Sequence, residues 1–212
     1  MQKENPCAVF GTHRMNDGSS EAGSIYKKGM NAMPVYKVTS PDGRVKLSVF
    51  LEDGALSYAV ARDGADCASR APLGLITPDC DLSTGLVPAG ETRGAIDEDY
   101  SLPAFKKSLC HNRANTLSLD FSKQGHILTV ECRAYDDGAA FRLILQGKGD
   151  GIIVSEATAF AVPACADTIY AQKLVFSYED QYHPVPREDL YQNRYAFPLL
   201  VHVGGVWALY AE

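Results

Sequence analysis

Residues 34–67 alternate apolar and polar side chains with a period of two. Asp-Gly pairs interrupt this alternation three times, at residues 42–43, 53–54 and 63–64. Asp-Gly between alternating runs is the strongest short-range signal of a β-hairpin, because glycine accepts the positive φ that a tight turn requires. The segment therefore predicts a meander of antiparallel strands.

The middle of the chain, residues 68–105, is broken by prolines and is predicted to be rich in loops. Strand-like runs then return, and we expect strands over residues 116–121, 126–135, 139–145, 152–155, 174–177, 199–203 and 206–210. Gly204-Gly205 joins the last two in a tight turn. No amphipathic helix longer than two turns is predicted. About a dozen short strands, spaced by roughly 8 to 12 residues, favour an all-β antiparallel sandwich or barrel.

Residues 1–33 show neither a helical nor a strand period and mix glycine, serine, asparagine and charged residues. This composition is typical of a poorly ordered leader. No linker rich in proline, glycine and serine divides the rest of the chain. Residues 34–212 are therefore predicted to form one domain, which suits a chain of 212 residues.

Composition narrows the classes of function. A net charge of −6 without a basic patch argues against nucleic-acid binding. No run of about 18 or more apolar residues occurs, so no membrane span is predicted. The N-terminus has no apolar core of a secretory signal, so the protein is either cytoplasmic or carries its signal outside this sequence.

The motifs of several chemistries are absent from the sequence. Six cysteines are scattered without C-x-x-C spacing, which argues against a zinc site and a disulfide scaffold, and Cys132 reads as a small buried hydrophobe. The histidines lack H-x-H and H-E-x-x-H spacing, and no G-x-S-x-G motif marks a nucleophilic serine. His202, inside an apolar strand, is predicted to be a core histidine with its hydrogen bonds satisfied.

The stretch CRAYDDGAAFRLIL, residues 132–145, places two consecutive aspartates between two apolar runs. Its structural interpretation is a hairpin in which Asp136 and Asp137 cap the turn by accepting bonds from backbone amides. Paired carboxylates also catalyse sugar hydrolysis, but that needs them on opposite sides of the scissile bond, at least about 5 Å apart. Consecutive residues of one turn do not face each other in that way. The pair is therefore predicted to be a turn, in which one aspartate is able to bind a ligand.

Several segments, in order, resemble the N-terminal domain of glycoside hydrolase family 97. They include SPDGRVKLSVFLEDGALSYAVARDG, EDYSLPAFKKSLCHNRANTLSLDF, CRAYDDGAAFRLIL, YEDQYHPVP and GGVWALYAE. The resemblance runs from about Ser40 to Glu212, and the Arg-Ala-Tyr-Asp-Asp-Gly-x-Ala-Phe-Arg segment is its most specific part.

The resemblance implies an antiparallel β-super-sandwich like that of galactose mutarotase. The family contains bacterial α-glucosidases and α-galactosidases, typically periplasmic or exported, in which a (β/α)8 barrel and a small β domain follow the sandwich. The barrel holds the catalytic carboxylates, and this chain matches only the sandwich. The resemblance therefore implies a non-catalytic domain that completes the oligosaccharide pocket of a catalytic barrel, with no hydrolysis by this chain alone.

The resemblance also assigns site residues. Asp136 matches a residue of the sugar pocket, and Glu179 in SYEDQY matches a glutamate that binds calcium jointly with the barrel. The sequence departs from the family at His111, where the family favours an arginine, so the charge and reach of the pocket change at this substrate-binding position. By pattern alone, Glu179 and Asp180 are equally consistent with solvated charges at a strand end.

Two further interpretations stay open. Late aromatic residues provide either a stacking platform for sugar or a packing surface for the barrel: Tyr178, Tyr182, Tyr191, Tyr195 and Phe197. The chain could also be a free-standing carbohydrate-binding or scaffolding module. Mutarotase activity would need a histidine and a glutamate converging on the sugar ring, and the sequence does not identify such a pair. Glucoside or galactoside preference and the stereochemical outcome are not predicted.

Overall fold

A computed structural model describes residues 33–104, 106, 108–147, 151–177 and 180–212. The strands in chain order are β1 (Val35–Thr39), β2 (Val45–Glu52), β3 (Ala55–Arg62), β4 (Ala65–Leu73), β5 (Leu75–Ile76), β6 (Val87–Ser101), β7 (Leu109–Lys123), β8 (His126–Tyr135), β9 (Gly138–Gln146), β10 (Ser155–Glu156), β11 (Thr168–Lys173), β12 (His183–Pro184), β13 (Tyr195–Val203) and β14 (Val206–Tyr210). A short 3-10 helix spans Arg187–Tyr191. The strand pairs within these ranges are antiparallel, which confirms the all-β prediction. The predicted leader, residues 1–33, lies almost wholly outside the described residues.

The first sheet is the predicted meander, with strands in the order β1-β2-β3-β4. Its two tight turns have positive φ at both central residues: 50° and 78° at Asp53 and Gly54, and 50° and 84° at Asp63 and Gly64. That pair of angles matches the right-handed twist of the flanking strands, which explains why Asp-Gly is favoured there. The hairpin predictions are confirmed.

The second sheet has the order β6-β7-β8-β9 and corrects one prediction. Residues 68–105 were expected to be loop-rich, but β6 runs for 15 residues through this stretch. Along β6 the side chains are exposed at every position except one, and the strand pairs only with β7 among the described residues. An edge strand with two exposed faces shows no apolar alternation, so the periodicity carries no signal for it.

The third sheet has the order β12-β11-β13-β14, and its β13–β14 hairpin turns at Gly204-Gly205 as predicted. Two other expected strands are wrong. Of residues 152–155 only Ser155 enters a strand, and residues 174–177 form none, since β11 ends at Lys173. Both segments are apolar but exposed, and Phe176 is fully accessible. Hydrophobic composition without alternation was therefore misleading at these positions.

The main core lies between the first and second sheets. The inward positions of β2, of β7 from Leu117 and of β8 are buried at every second residue, which is the signature of a sheet with one covered face, and partly buried side chains of β9 pack against them. Leu117, Leu128, Val130 and Cys132 have no exposed surface, so the prediction for Cys132 is confirmed. Full burial of a valine or leucine contributes about 1.5–3 kcal/mol. A second cluster packs the third sheet against β4.

Candidate functional site

Strands β6 and β7 extend beyond the end of β8. The pairing of β7 with β8 begins at Ala114, opposite Tyr135, so residues 109–113 pair only with β6. We name residues 97–101 and 109–113 the β6–β7 ribbon. It carries three consecutive acidic residues on one strand and His111, Asn112 and Arg113 on the other, in direct register. Cross-strand pairs of opposite charge stabilise such a ribbon without an apolar core.

The ribbon and the β8–β9 turn enclose an open groove of about 820 Å³. Carboxylates, phenols, an amide, a guanidinium and an imidazole surround it, from the residues Glu98, Tyr100, His111, Asn112, Arg113, Tyr135, Asp136 and Asp137. The structure thus brings together Asp136 and His111, which lie 25 residues apart in sequence. Such a lining offers donors and acceptors for hydroxyl groups, and the rings of Tyr100 and Tyr135 offer apolar faces.

Asp136 has a structural role and also lines the groove. It belongs to the two-residue turn between β8 and β9, as the hairpin interpretation predicts. Its Oδ1 accepts a bond of 2.8 Å from the backbone amide of Asp42, in the β1–β2 turn. The Ser40 hydroxyl and the Arg44 amide bind the Asp42 carboxylate and lower its pKa, which holds that turn in shape. Asp136 therefore ties the two sheets together at the edge of the groove.

His111 lies on the exposed face of the ribbon between two carboxylates. Its Nδ1 is 2.8 Å from Asp99 Oδ1, and its Nε2 is 3.4 Å from Asp97 Oδ1. These contacts fix the imidazole ring against β6. The residue is half-exposed, so it remains accessible to a ligand in the groove. The imidazole at this position therefore has two acidic neighbours on β6.

Glu98, Tyr100 and the residues that pair with them were not predicted from the sequence. Asn112 Nδ2 donates to Glu98 Oε1 at 2.8 Å, and the neighbouring Cys110 raises the pKa of the Tyr100 phenol. The sequence does contain a pattern that indicates this pairing. The acidic run 97–99 and the run 111–113 complement each other when they are paired as antiparallel strands, which points to a two-stranded ribbon.

The two arginines that flank the aspartate pair point to a structural role. Arg133 binds Glu131 Oε1 at 2.7 Å and Arg142 binds Oε2 at 2.6 Å, so both oxygens of one carboxylate are engaged. The hydrogen bonds from Arg133 and then Arg142 lower the pKa of Glu131. This cluster lies on the outer face of the second sheet, where Arg133 also hydrogen-bonds Tyr135, a residue of the groove.

The predicted calcium ligand Glu179 and the aromatic Tyr178 lie outside the described residues. Within the described ranges, no group of three or more His, Cys, Asp and Glu side chains is arranged to hold a metal ion. Of the other late aromatics, Phe197 packs against Phe160 with ring centroids 5.0 Å apart, whereas Tyr191 is largely exposed. In the same ranges there is no helix that could cross a membrane.

Comparison with known proteins identifies relatives of most of the described region. The family described as Glycosyl-hydrolase 97 N-terminal matches residues 38–212. A "Retaining alpha-galactosidase" of Bacteroides thetaiotaomicron is 28% identical over 82% of this chain and 28% of its own length. A "Probable retaining alpha-galactosidase" of Streptomyces bingchenggensis is 29% identical over 82% of this chain and 27% of its own. The chain thus spans just over a quarter of these curated relatives.

Solved structures give the same fold. A β-arabinopyranosidase crystal structure superposes with a TM-score of 0.74 at 29% identity, covering 82% of this chain and 31% of that one. A glycoside hydrolase family 97 enzyme from Pseudoalteromonas sp. strain K8, in complex with acarbose, gives 0.68 at 21% identity, covering 80% and 27%. The second match supports the fold alone. Both matches cover about the same share of this chain as the curated relatives do.

Proposed function

The chain belongs to the glycosyl-hydrolase 97 N-terminal family, and from that premise we propose that it completes the sugar pocket of an exo-acting α-glycosidase without catalysing hydrolysis itself. The observation that carries this proposal is the groove that contains Asp136 and His111. Its lining suits sugar hydroxyls, which carboxylates and amides bind by hydrogen bonds. The groove is open, so a second domain is needed to enclose a sugar residue.

The carboxylates of the groove support binding rather than bond cleavage. Glycoside hydrolysis uses two carboxyl groups that flank the scissile bond from opposite sides. Asp136 and Asp137 come from a single turn, and Asp136 is already engaged with the Asp42 amide. In this proposal the catalytic carboxylates come from a (β/α)8 barrel, and Asp136 orients the terminal sugar through its carboxylate.

We propose that this sugar is an α-galactoside. Both curated relatives are named α-galactosidases, and both names specify retention of configuration. In a retaining enzyme one barrel carboxylate acts as the nucleophile and a second as acid and base, about 5–5.5 Å apart. Neither role falls to a residue of this chain. An α-glucoside is the alternative substrate class. The two classes are distinguished by comparing kcat/KM for an α-galactoside and an α-glucoside.

The proposal includes a calcium ion at the boundary with the catalytic domain, with Glu179 as one of its ligands. Calcium takes six to eight oxygen ligands, so a single glutamate supplies a minority of them and the rest come from elsewhere. When bound, the ion would supply a positive charge close to the sugar hydroxyls. Replacing Glu179 by glutamine should raise the calcium concentration that the assembled enzyme needs for half-maximal activity.

A chimera tests the proposal. This chain replaces the matching segment of the Bacteroides thetaiotaomicron relative, and kcat/KM is measured with 4-nitrophenyl α-galactoside and α-glucoside. Asp136→Ala should lower kcat/KM about tenfold or more, equivalent to about 1.4 kcal/mol of transition-state stabilisation. Asp53→Asn is the control, because Asp53 also lies in a tight hairpin turn but not in the groove. It should leave kcat/KM unchanged.

The isolated chain provides the complementary measurement. We expect no hydrolysis of either substrate, and no saturable heat on titration with melibiose that depends on Asp136. Hydrolysis by the chain alone would contradict the proposal. Saturable melibiose binding that Asp136→Ala weakens would instead assign a free-standing carbohydrate-binding module with a complete site.

A further inference from the structure

The single tryptophan of the chain lies on the outer face of the third sheet, on elements that contribute nothing to the groove. Trp207 is on β14 and is 53% exposed. Half-exposure of the largest apolar side chain calls for an explanation, because tryptophan is highly buried on average. The neighbours of the ring suggest one.

Two further rings border the indole. The ring centroid of His202 lies 4.6 Å from that of Trp207, and the centroid of Tyr170 lies 6.3 Å away. In the strand register Thr168, His202 and Trp207 form one row across β11, β13 and β14. His202 was predicted to be a core histidine with its hydrogen bonds satisfied, and its placement in the core is wrong. Its side chain is one-quarter exposed and faces the tryptophan rather than the core.

A carboxylate fixes the imidazole beside the indole. His202 Nδ1 is 2.7 Å from Asp167 Oδ1, and the hydrogen bond from His202 lowers the pKa of Asp167. An ionised carboxylate only accepts, so Nδ1 carries a proton and donates it. In the neutral imidazole Nε2 is then an acceptor. The Asp167 side chain is itself 58% exposed, so it also remains available to a ligand.

We propose that Trp207, His202 and Asp167 form an accessory binding site for one pyranose unit of a neutral oligosaccharide. The C–H face of the sugar stacks on the exposed indole, and its hydroxyls bind the Asp167 carboxylate and the His202 ring. Sugar sites combine a flat apolar face with a few directed polar groups in this way.

The same polar groups weigh against a protein domain as the occupant. A protein surface that covered this face would remove the Asp167 carboxylate and its histidine from water, which is unfavourable unless new hydrogen bonds replace the hydration. A sugar supplies those bonds through its hydroxyl groups. Leu209, 62% exposed on the same strand, extends the apolar side on which C–H groups can lie.

Intrinsic fluorescence tests the site directly, because Trp207 is the only tryptophan in the chain. The 212-residue protein is titrated with melibiose and with maltose up to about 100 mM, with sorbitol as the acyclic control. A saturable change in emission with either sugar, absent with sorbitol, is the expected result. An emission curve indistinguishable from the sorbitol curve would overturn the proposal.

Variants locate the response. Asp167→Asn keeps the reporter and should raise the apparent Kd about threefold to tenfold. Trp207→Ala, followed by calorimetry after circular dichroism has verified its fold, should remove the binding. Asp136→Ala alters the groove and should leave the fluorescence response unchanged, so failure here is distinguishable from failure of the proposed pocket function. A response lost in Asp136→Ala but retained in Asp167→Asn would place the sugar in the groove and refute this site.

Discussion

The two halves of β7 belong to one strand but differ in burial and in the number of strands with which they pair. The half at residues 114–123 pairs with neighbours on both sides and places Leu117, Leu119 and Phe121 in the core, each at most 1% exposed. The half at residues 109–113 pairs on one side only and presents polar side chains to the groove. Apolar burial holds the first half, whereas hydrogen bonds and ion pairs to β6 hold the second.

The difference shows how the domain separates folding from binding. The buried half anchors the strand and fixes its register, since a slip of one residue would move its whole apolar set to the wrong face. The β6–β7 ribbon continues in the same register, which places His111 opposite Asp99. Its own residues are mostly exposed, so we expect little of the folding free energy to depend on them.

The largest predicted effect is a difference in the free energy of unfolding between variants in the two halves of β7. Leu117→Ala removes a side chain with no exposed surface, so the free energy of unfolding should fall by about 2–5 kcal/mol. His111→Ala, six residues earlier on the same strand, should change it by no more than about 0.5 kcal/mol. Urea unfolding followed by far-UV circular dichroism measures both. Similar losses in the two variants would show that the ribbon is part of the stabilising core.

A second, smaller effect concerns the outer face of the same sheet. Glu131 accepts hydrogen bonds from Arg133 and Arg142, and its side chain is 19% exposed. Glu131→Gln keeps the shape but removes the charge, so the free energy of unfolding should fall by about 1–3 kcal/mol at neutral pH. Denaturant midpoints of the two proteins measure the difference.

The sign of the pH dependence follows from the lowered pKa of Glu131. A carboxyl group whose pKa is depressed by folding stabilises the native state above its unfolded value, ordinarily 4.5. This contribution is lost as the pH falls from that value through the folded pKa. The gap between the native protein and Glu131→Gln should therefore be constant from pH 7 to about 5 and shrink below. A gap that stays constant down to pH 3 would mean that the arginine contacts do not favour the ionised form.

The sequence predicted the parts of the fold that depend on alternation and turn chemistry. β8 and β14 were placed with their observed bounds, because each lies in a sheet with one covered face and adjoins a tight turn, which follows β8 and precedes β14. β6 was missed, since an exposed edge strand has no apolar period to detect. Conversely, a strand was predicted over residues 174–177, which include the exposed Phe176 and form no strand.

The site was predictable only in part, and for a different reason. Asp136 and His111 came from the family resemblance, whereas Tyr100 and Glu98 reach the groove only because β6 pairs with β7 in one register. Register is a tertiary property that hydrophobic alternation does not specify in a polar strand, so only the complementarity of runs 97–99 and 111–113 indicates it. The Trp207 site likewise needs three strands to assemble.

The smallest predicted effect separates the two roles of Asp136, as a turn residue and as a groove residue. Asp136→Ala removes the acceptor for the Asp42 amide, so that amide should exchange with solvent faster and the free energy of unfolding should fall by about 0.5–1.5 kcal/mol. Asp136→Asn retains a carbonyl oxygen as acceptor and loses only the charge. It should keep the slow exchange while it weakens sugar binding in the chimera. Hydrogen exchange followed by NMR at Asp42, set against kcat/KM for the same two variants, makes the distinction. If asparagine and alanine accelerate the exchange equally, the bond to Asp42 needs the carboxylate charge, and the structural and binding roles of this residue are one.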